Sequence, residues 1–194
     1  MKSKVIGLLL LLLGTIFAGG VQANAATFNS GTTSRRVVHN RPVKPSTNQG
    51  STENNTVVSD KFMAQVEQAI FNKVNEERAK AGVSPLSYNS TMEKYARIKS
   101  QDMGDNNYFS HADLSGNYIT SKMKADGVSY KAWGENIAYI GGITDPTALA
   151  NKFMENWMNS EGHRKNILST NFDSIGIGVY QSGNRVYATQ EFYK

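Results

Sequence analysis

Residues 175–179 read Ile-Gly-Ile-Gly-Val, and this short run constrains the fold more than any other stretch of the chain. Apolar residues at alternate positions predict a strand, and the glycines between them strip one strand face of side chains. A strand with a bare face lets another backbone or a helix approach closely. The following Gln181-Ser182-Gly183-Asn184 reads as a turn, and Arg185 to Tyr193 as the returning strand. The C-terminus is therefore expected to be an antiparallel hairpin that something packs against at short range.

Upstream of the hairpin the period changes. Phe62, Val66, Ala69, Ile70 and Val74 recur at helical spacing, with Ser59-Asp60 placed to cap the start and Gly82 to end the segment. Ser90-Thr91-Met92-Glu93 has the capping-box pattern, and Met92, Tyr95, Ala96, Lys99 and Met103 form the inward stripe of a second helix. A short helix is expected over Tyr118 to Asp126, with Ile119 and Met123 inward. Asp145-Pro146 opens another, whose buried face is Leu149, Phe153 and Trp157. Helices packed over a small antiparallel sheet make this an α+β domain. It spans residues 59–194, an ordinary single-domain length.

The N-terminus follows different rules. Lys2 and Lys4 precede the 13-residue apolar run Val5–Phe17, and Ala23 and Ala25 meet the small-residue requirement of a signal peptidase. A membrane-spanning helix needs about 20 apolar residues, so residues 1–25 are read as a secretion signal cleaved after Ala25. Residues 26–58 are rich in Ser, Thr and Asn and poor in large apolar groups, and are read as a disordered basic linker. The chain has no cysteine, so the domain must hold by packing without disulfides.

The formal charge of +5 is unevenly placed. The signal contributes two positive charges. The linker contributes a net three, from Arg35, Arg36, Arg41 and Lys44 against Glu53; residues 59–194 are neutral. A neutral domain argues against nucleic acid as a binding partner. The basic linker instead suits an anionic cell-envelope polymer, through a contact that salt would weaken.

Candidate chemistry rests on few residues. His111 follows the second helix, His163 lies in Trp157–Leu168, and Glu135 lies in Gly134-Glu135-Asn136-Ile137-Ala138. Two imidazoles and a carboxylate could hold a divalent metal and its water. They could equally form a buried polar clasp that stabilises a cleft. Asn136 is expected to tie a loop, Trp133 and Trp157 to be core or cleft wall, and Arg164 to be a surface or helix-terminal charge.

Taken in order, several segments resemble the CAP superfamily (cysteine-rich secretory proteins, antigen 5 and pathogenesis-related 1) in its bacterial SCP-like form. They are Asn75–Arg78 with Gly82 and Pro85-Leu86, Phe109-Ser110-His111, Gly134–Ala138, Trp157–Leu168, Gly176-Ile177-Gly178 and Thr189–Phe192. The likeness covers residues 62–193. It implies a three-layer α-β-α sandwich and a cleft containing His111, Glu135 and His163. The second acid of the eukaryotic pattern falls three residues after a tryptophan, where this chain has Ser160. In some relatives the histidines hold zinc or another divalent cation, which makes His111 and His163 candidate ligands.

Three functions are compatible with these residues. The first is a secreted or cell-wall-associated binding module for a lipid, wall or protein partner. The second is a metal-dependent hydrolase of peptide, wall fragment or nucleic acid, with Glu135 as general base. The third is a serine hydrolase built from Ser160, His163 and Glu135, although no Gly-x-Ser-x-Gly elbow is present and Gly162 threatens the helix that would align Ser160 with His163.

Overall fold

The computed structural model describes residues 50–194, with side chains from Ser59 onward. The expected signal segment, and the linker as far as residue 49, lie outside these residues. In chain order the elements are α1 (Gly50–Lys80), β1 (Ser87–Tyr88), α2 (Ser90–Asp105), α3 (Ile119–Ala125), β2 (Trp133–Gly141), α4 (Pro146–Asn159), α5 (Glu161–Leu168), β3 (Ser174–Ser182) and β4 (Arg185–Tyr193). The sheet order is β1-β3-β4-β2. β1 runs parallel to β3, and the other neighbours are antiparallel.

The glycine-alternating strand divides the molecule into three layers. Ile175, Ile177 and Val179 join Val66, Ile70 and Val74 of α1 and Leu149, Phe153 and Trp157 of α4 in the main core. On the opposite face Gly176 and Gly178 lie against the backbone of α2. A Cβ on Gly176 would fall 2.0 Å from Glu93 N, and one on Gly178 2.0 Å from Arg97 N. Helix α2 thus rests on the strand at a distance only glycine permits. Met92 and Tyr95 of α2 then pack with Ile119 and Met123 of α3. The layers are α1, α4 and α5; the sheet; and α2 and α3, as the three-layer expectation has it.

Several boundaries differ from the sequence reading. Helix α1 begins at Gly50, so Ser59 and Asp60 lie inside it and cap nothing, and the last nine linker residues are helical. The last proline before the helix is Pro45, so no break in the chain forces a start at Ser59. The cap of α2 is Asn89, one residue earlier than expected. Its Oδ1 accepts from Thr91 N and Met92 N, both at 3.1 Å. Asn89 wins because its own N–H donates to Ile175 O at 2.9 Å, which holds its backbone extended beside the sheet. Glu93 instead pairs with Arg97 one turn on, at 2.6 Å. Asp145 caps α4 as expected, accepting from Ala148 N at 2.7 Å. Gln181 and Ser182 belong to β3, so the hairpin turn tightens to Gly183 (φ 58°) and Asn184.

Strand β2, which carries Gly134–Ala138, had no predicted counterpart. It lies at the sheet edge beside β4, and Glu135 and Asn136, on its two faces, are both buried. Helix α5 continues through Gly162 without a break.

Two polar anchors join α1 to the rest. Asn75 exchanges two hydrogen bonds with the Leu86 backbone, at 3.0 and 2.8 Å. Arg78 is 2% exposed and donates to Ser84 O, Ile167 O and Ser169 O at 2.7, 2.7 and 2.8 Å. Its charge thus sits at the carbonyl end of α5, where the helix dipole favours a cation. Burial pulls its pKa down.

Candidate functional site

The expected site straddles the β2 edge. Glu135 is buried, and its Oε1 lies 2.6 Å from Nδ1 of His111, whose side chain is 46% exposed. His111 reaches it from the loop after α2. Three residues before it is Tyr108, whose hydroxyl accepts from Lys99 Nζ at 3.0 Å and donates to Asp102. Further along, Asp113 Oδ1 accepts from Ser115 N and Asn117 N, both at 2.8 Å, and turns the chain towards α3.

His163 comes from the other side, on α5, and is half-buried. Its carbonyl accepts from Asn136 Nδ2 at 3.1 Å. Asn136 also donates to Gln190 Oε1 at 2.9 Å and accepts from Asn166 Nδ2 at 2.9 Å. A single buried amide therefore locks α5 to both β2 and β4. Asn136 ties structure together as expected, but it ties a helix and two strands. Burial, and then the charge of His111, hold the His163 pKa below the ordinary histidine value. The two rings are thus near enough to feel one another.

Of the two histidines, Glu135 bonds only His111. Among the described residues no hydrogen bond joins it to His163, and none joins Ser160 Oγ to His163. Ser160 is the joint between α4 and α5; its carbonyl accepts from Arg164 N at 2.9 Å and its side chain caps nothing. The Ser160–His163–Glu135 arrangement is therefore not formed, even though α5 runs unbroken through Gly162.

Metal chemistry meets a shortage of ligands. Among the described residues no three His, Cys, Asp or Glu side chains converge as they would around a metal ion. A catalytic zinc takes three protein ligands. His111 and His163 supply two at most, and the nearest carboxylate is already bonded to His111. The donor set falls short of the three protein ligands that a catalytic zinc takes.

Sequence reasoning missed Glu191. It stands directly opposite Glu135 on β4, is fully buried, and accepts from Trp133 Nε1 at 2.7 Å. Burial, and then the charge of Glu135, push its pKa well above the carboxylate range. Trp133 is thus cleft floor, while Trp157 is core, 1% exposed. Arg164 is an exposed helix-end charge that donates to Met158 O at 2.8 Å. Lys99 was also missed as a site group. Only 3% exposed, its ammonium has its pKa lowered by burial despite the opposing pull of Glu135, Asp102, Asp113 and Glu191. Its signal was a charge in the apolar stripe of a helix.

Residues 71–192 match the pattern of the cysteine-rich secretory protein family, CAP. The chain belongs to the CAP family. It does so without a single cysteine. Among its relatives, the Bacillus subtilis protein YkwD is 42% identical over 139 residues, covering 72% of this chain and 51% of YkwD. The Bacillus subtilis membrane protein YlbC is 34% identical over 134 residues, covering 69% of this chain and 36% of YlbC. A solved extracellular protein containing an SCP domain, from Bacillus anthracis, superposes with a TM-score of 0.58 at 30% identity. That match covers 80% of this chain and 45% of the solved one. The chain thus spans about half the length of YkwD or less of these relatives, and the likeness concerns the CAP domain. Among the described residues no helix is long and apolar enough to cross a membrane.

Proposed function

We propose that this CAP protein is a secreted binding module acting at or near the cell envelope, with the cleft between His111 and His163 as its recognition site. The observation that carries the reading is the state of Glu135. A general base must reach the proton it abstracts, and this carboxylate is buried with one oxygen on His111. Its other oxygen is buried and meets no donor among the described residues. Among the described residues there is no third metal ligand and no serine–histidine contact, and the cleft holds its hydrogen-bonding groups in fixed positions with Glu135 not free to act as the base. Half-exposed imidazoles, with the exposed Phe109 two residues before His111 and its ring edge-on to the exposed Tyr139 at 5.1 Å, suit recognition of a lipid, wall or protein partner. The basic linker adds attraction to an anionic envelope polymer, since residues 59–194 carry no net charge.

Co-sedimentation of residues 26–194 with isolated cell walls and with lipid vesicles tests both parts. Salt should weaken a linker-borne contact, whereas His111→Ala with His163→Ala should weaken a cleft-borne one at any salt. Release of wall or peptide fragments that is abolished by His163→Ala or by a chelator would overturn the binding reading in favour of a hydrolase.

A further inference from the structure

Two buried oxygens in the cleft floor have no hydrogen-bond partner among the described residues: Glu135 Oε2 and Glu191 Oε1. They belong to residues that face each other directly across β2 and β4. Opposed side chains on adjacent strands have Cβ atoms about 4.5–5.5 Å apart. The remaining oxygens of the two groups are engaged, Glu135 Oε1 by His111 Nδ1 and Glu191 Oε2 by Trp133 Nε1. An ionised carboxylate only accepts. If both were ionised, two buried acceptors and two like charges would be left together with no hydrogen between them, which is costly in a dry interior. One proton removes both faults.

We propose that Glu135 and Glu191 hold a single hydrogen between Glu135 Oε2 and Glu191 Oε1, and that Glu191 is thereby a positioning residue for the cleft, fixing Glu135 so that its other oxygen stays on His111. The groups around the pair agree. From α2 the facing charge is Lys99, with Asp102 and Asp113 beside it. Its ammonium donates to the Tyr108 hydroxyl, and among the described residues it makes no bond to either glutamate. Its attraction counts for less at Glu191 than the repulsion from Glu135. From the loop comes His111, and from β2 Trp133, which donates to the outer oxygen of Glu191 and leaves the inner one for the shared hydrogen.

The consequence for His111 is a fixed tautomer. With Glu135 accepting at Nδ1, the neutral ring carries its hydrogen there and leaves Nε2 as an acceptor. A ligand meeting this ring would bring a donor, a hydroxyl or an amide N–H. This last step rests on the cleft being the binding site; the shared hydrogen does not.

Infrared spectroscopy of the folded protein at pH 7 tests the pair. Exposed carboxyl groups are then ionised, so the carbonyl band of a protonated acid should correspond to one group per chain. It should vanish in Glu191→Gln, where the amide donates permanently. No such band in the wild type would overturn the proposal. Raising the folded pKa makes this stabilisation complete below the unfolded carboxylate value of about 4.3 and lost as pH rises through the folded value. The melting temperature of Glu191→Gln minus that of the wild type should therefore grow from pH 5 to pH 9; a flat difference would also overturn it. Nitrogen NMR should report His111 as the Nδ1–H tautomer in the wild type and in Glu191→Gln, and as a mixture in Glu191→Leu. An unchanged His111 signal in Glu191→Leu would refute the positioning role. Failure of wall or vesicle binding with the infrared band intact would sink the cleft reading and leave the shared hydrogen standing.

Discussion

Replacing Gly178 by alanine adds one methyl group where the structure has no room for it. The new carbon would lie 2.0 Å from Arg97 N, 2.2 Å from Ala96 C and 2.6 Å from Arg97 Cα, all backbone atoms of α2. No side-chain rotation relieves such a clash, so helix and strand must separate. Restoring ordinary 3.4 Å contact requires a shift of roughly 1.4 Å. A gap of even 0.5–1 Å forfeits about a quarter to a half of each dispersion contact across an interface. Here the interface holds Met92, Tyr95, Ala96 and Met103, each no more than 1% exposed. Overpacking costs about 1–3 kcal/mol when side chains can yield. With backbone meeting backbone the cost should be about 3 kcal/mol or more, out of a total of about 5–15 kcal/mol for a domain. In urea, with a slope of about 2 kcal/mol/M, the midpoint should fall by about 1.5 M. Tryptophan fluorescence during equilibrium unfolding reads this directly. Gly162→Ala is the control: nothing lies within 4 Å of its added carbon, and α5 should gain up to about 1 kcal/mol. A loss below about 1 kcal/mol for Gly178→Ala would refute the claim that close approach of α2 defines this fold.

Three other outcomes are expected. Arg78→Met should destabilise by about 3 kcal/mol in the same assay, because three carbonyls lose a charged donor. Arg78→Lys should recover only part of that, since an ammonium lacks the planar fork; full recovery would contradict it. Asn136→Leu should cost about 2–4 kcal/mol, leaving the His163 carbonyl, Gln190 and Asn166 without their common partner. It should also shift the NMR signals of His163 more than those of His111. For His163 itself, a folded pKa below the ordinary value of about 6.5 means that its stabilisation is present above that pH and is lost as pH falls through the folded value. Unfolding free energy measured from pH 7 to pH 5 should therefore fall more steeply in the wild type than in His163→Gln, and equal slopes would contradict the assignment.

The parts of the fold that were legible in the sequence are those whose signal is local. The stripe Met92, Tyr95, Ala96, Met103 and the stripe Leu149, Phe153, Trp157 repeat within their own helices, and both are buried. The bare glycine face announced a close neighbour without naming it. Strand β2 was not legible because its buried residues Glu135 and Asn136 break the alternation that marks a strand. Their partners lie far along the chain, at Glu191, Gln190 and the His163 carbonyl. The cap of α2 moved from Ser90 to Asn89 for a similar reason, since the deciding bond goes to Ile175 in the sheet.

The candidate site follows the same division, with a consequence for its chemistry. His111, Glu135 and His163 were singled out from the sequence and then matched by a family likeness, and the structure pairs only the first two. Most of the other residues that carried the likeness prove to be structural ties: Asn75 and Arg78 anchor α1, Asn136 and Asn166 lock α5, and Gly176 and Gly178 admit α2. Glu191 stood inside one of those motifs and was legible in principle. It is an acid in a strand whose residues from Val186 to Phe192 are all buried, two positions from Thr189 on the face that meets α2. Counting forward from the hairpin turn would have placed it there, but its significance needed β2 alongside. A buried acid opposite a second buried acid must either shed a charge or be neutralised. In this cleft the hydrogen that does so also decides which nitrogen of His111 a ligand meets.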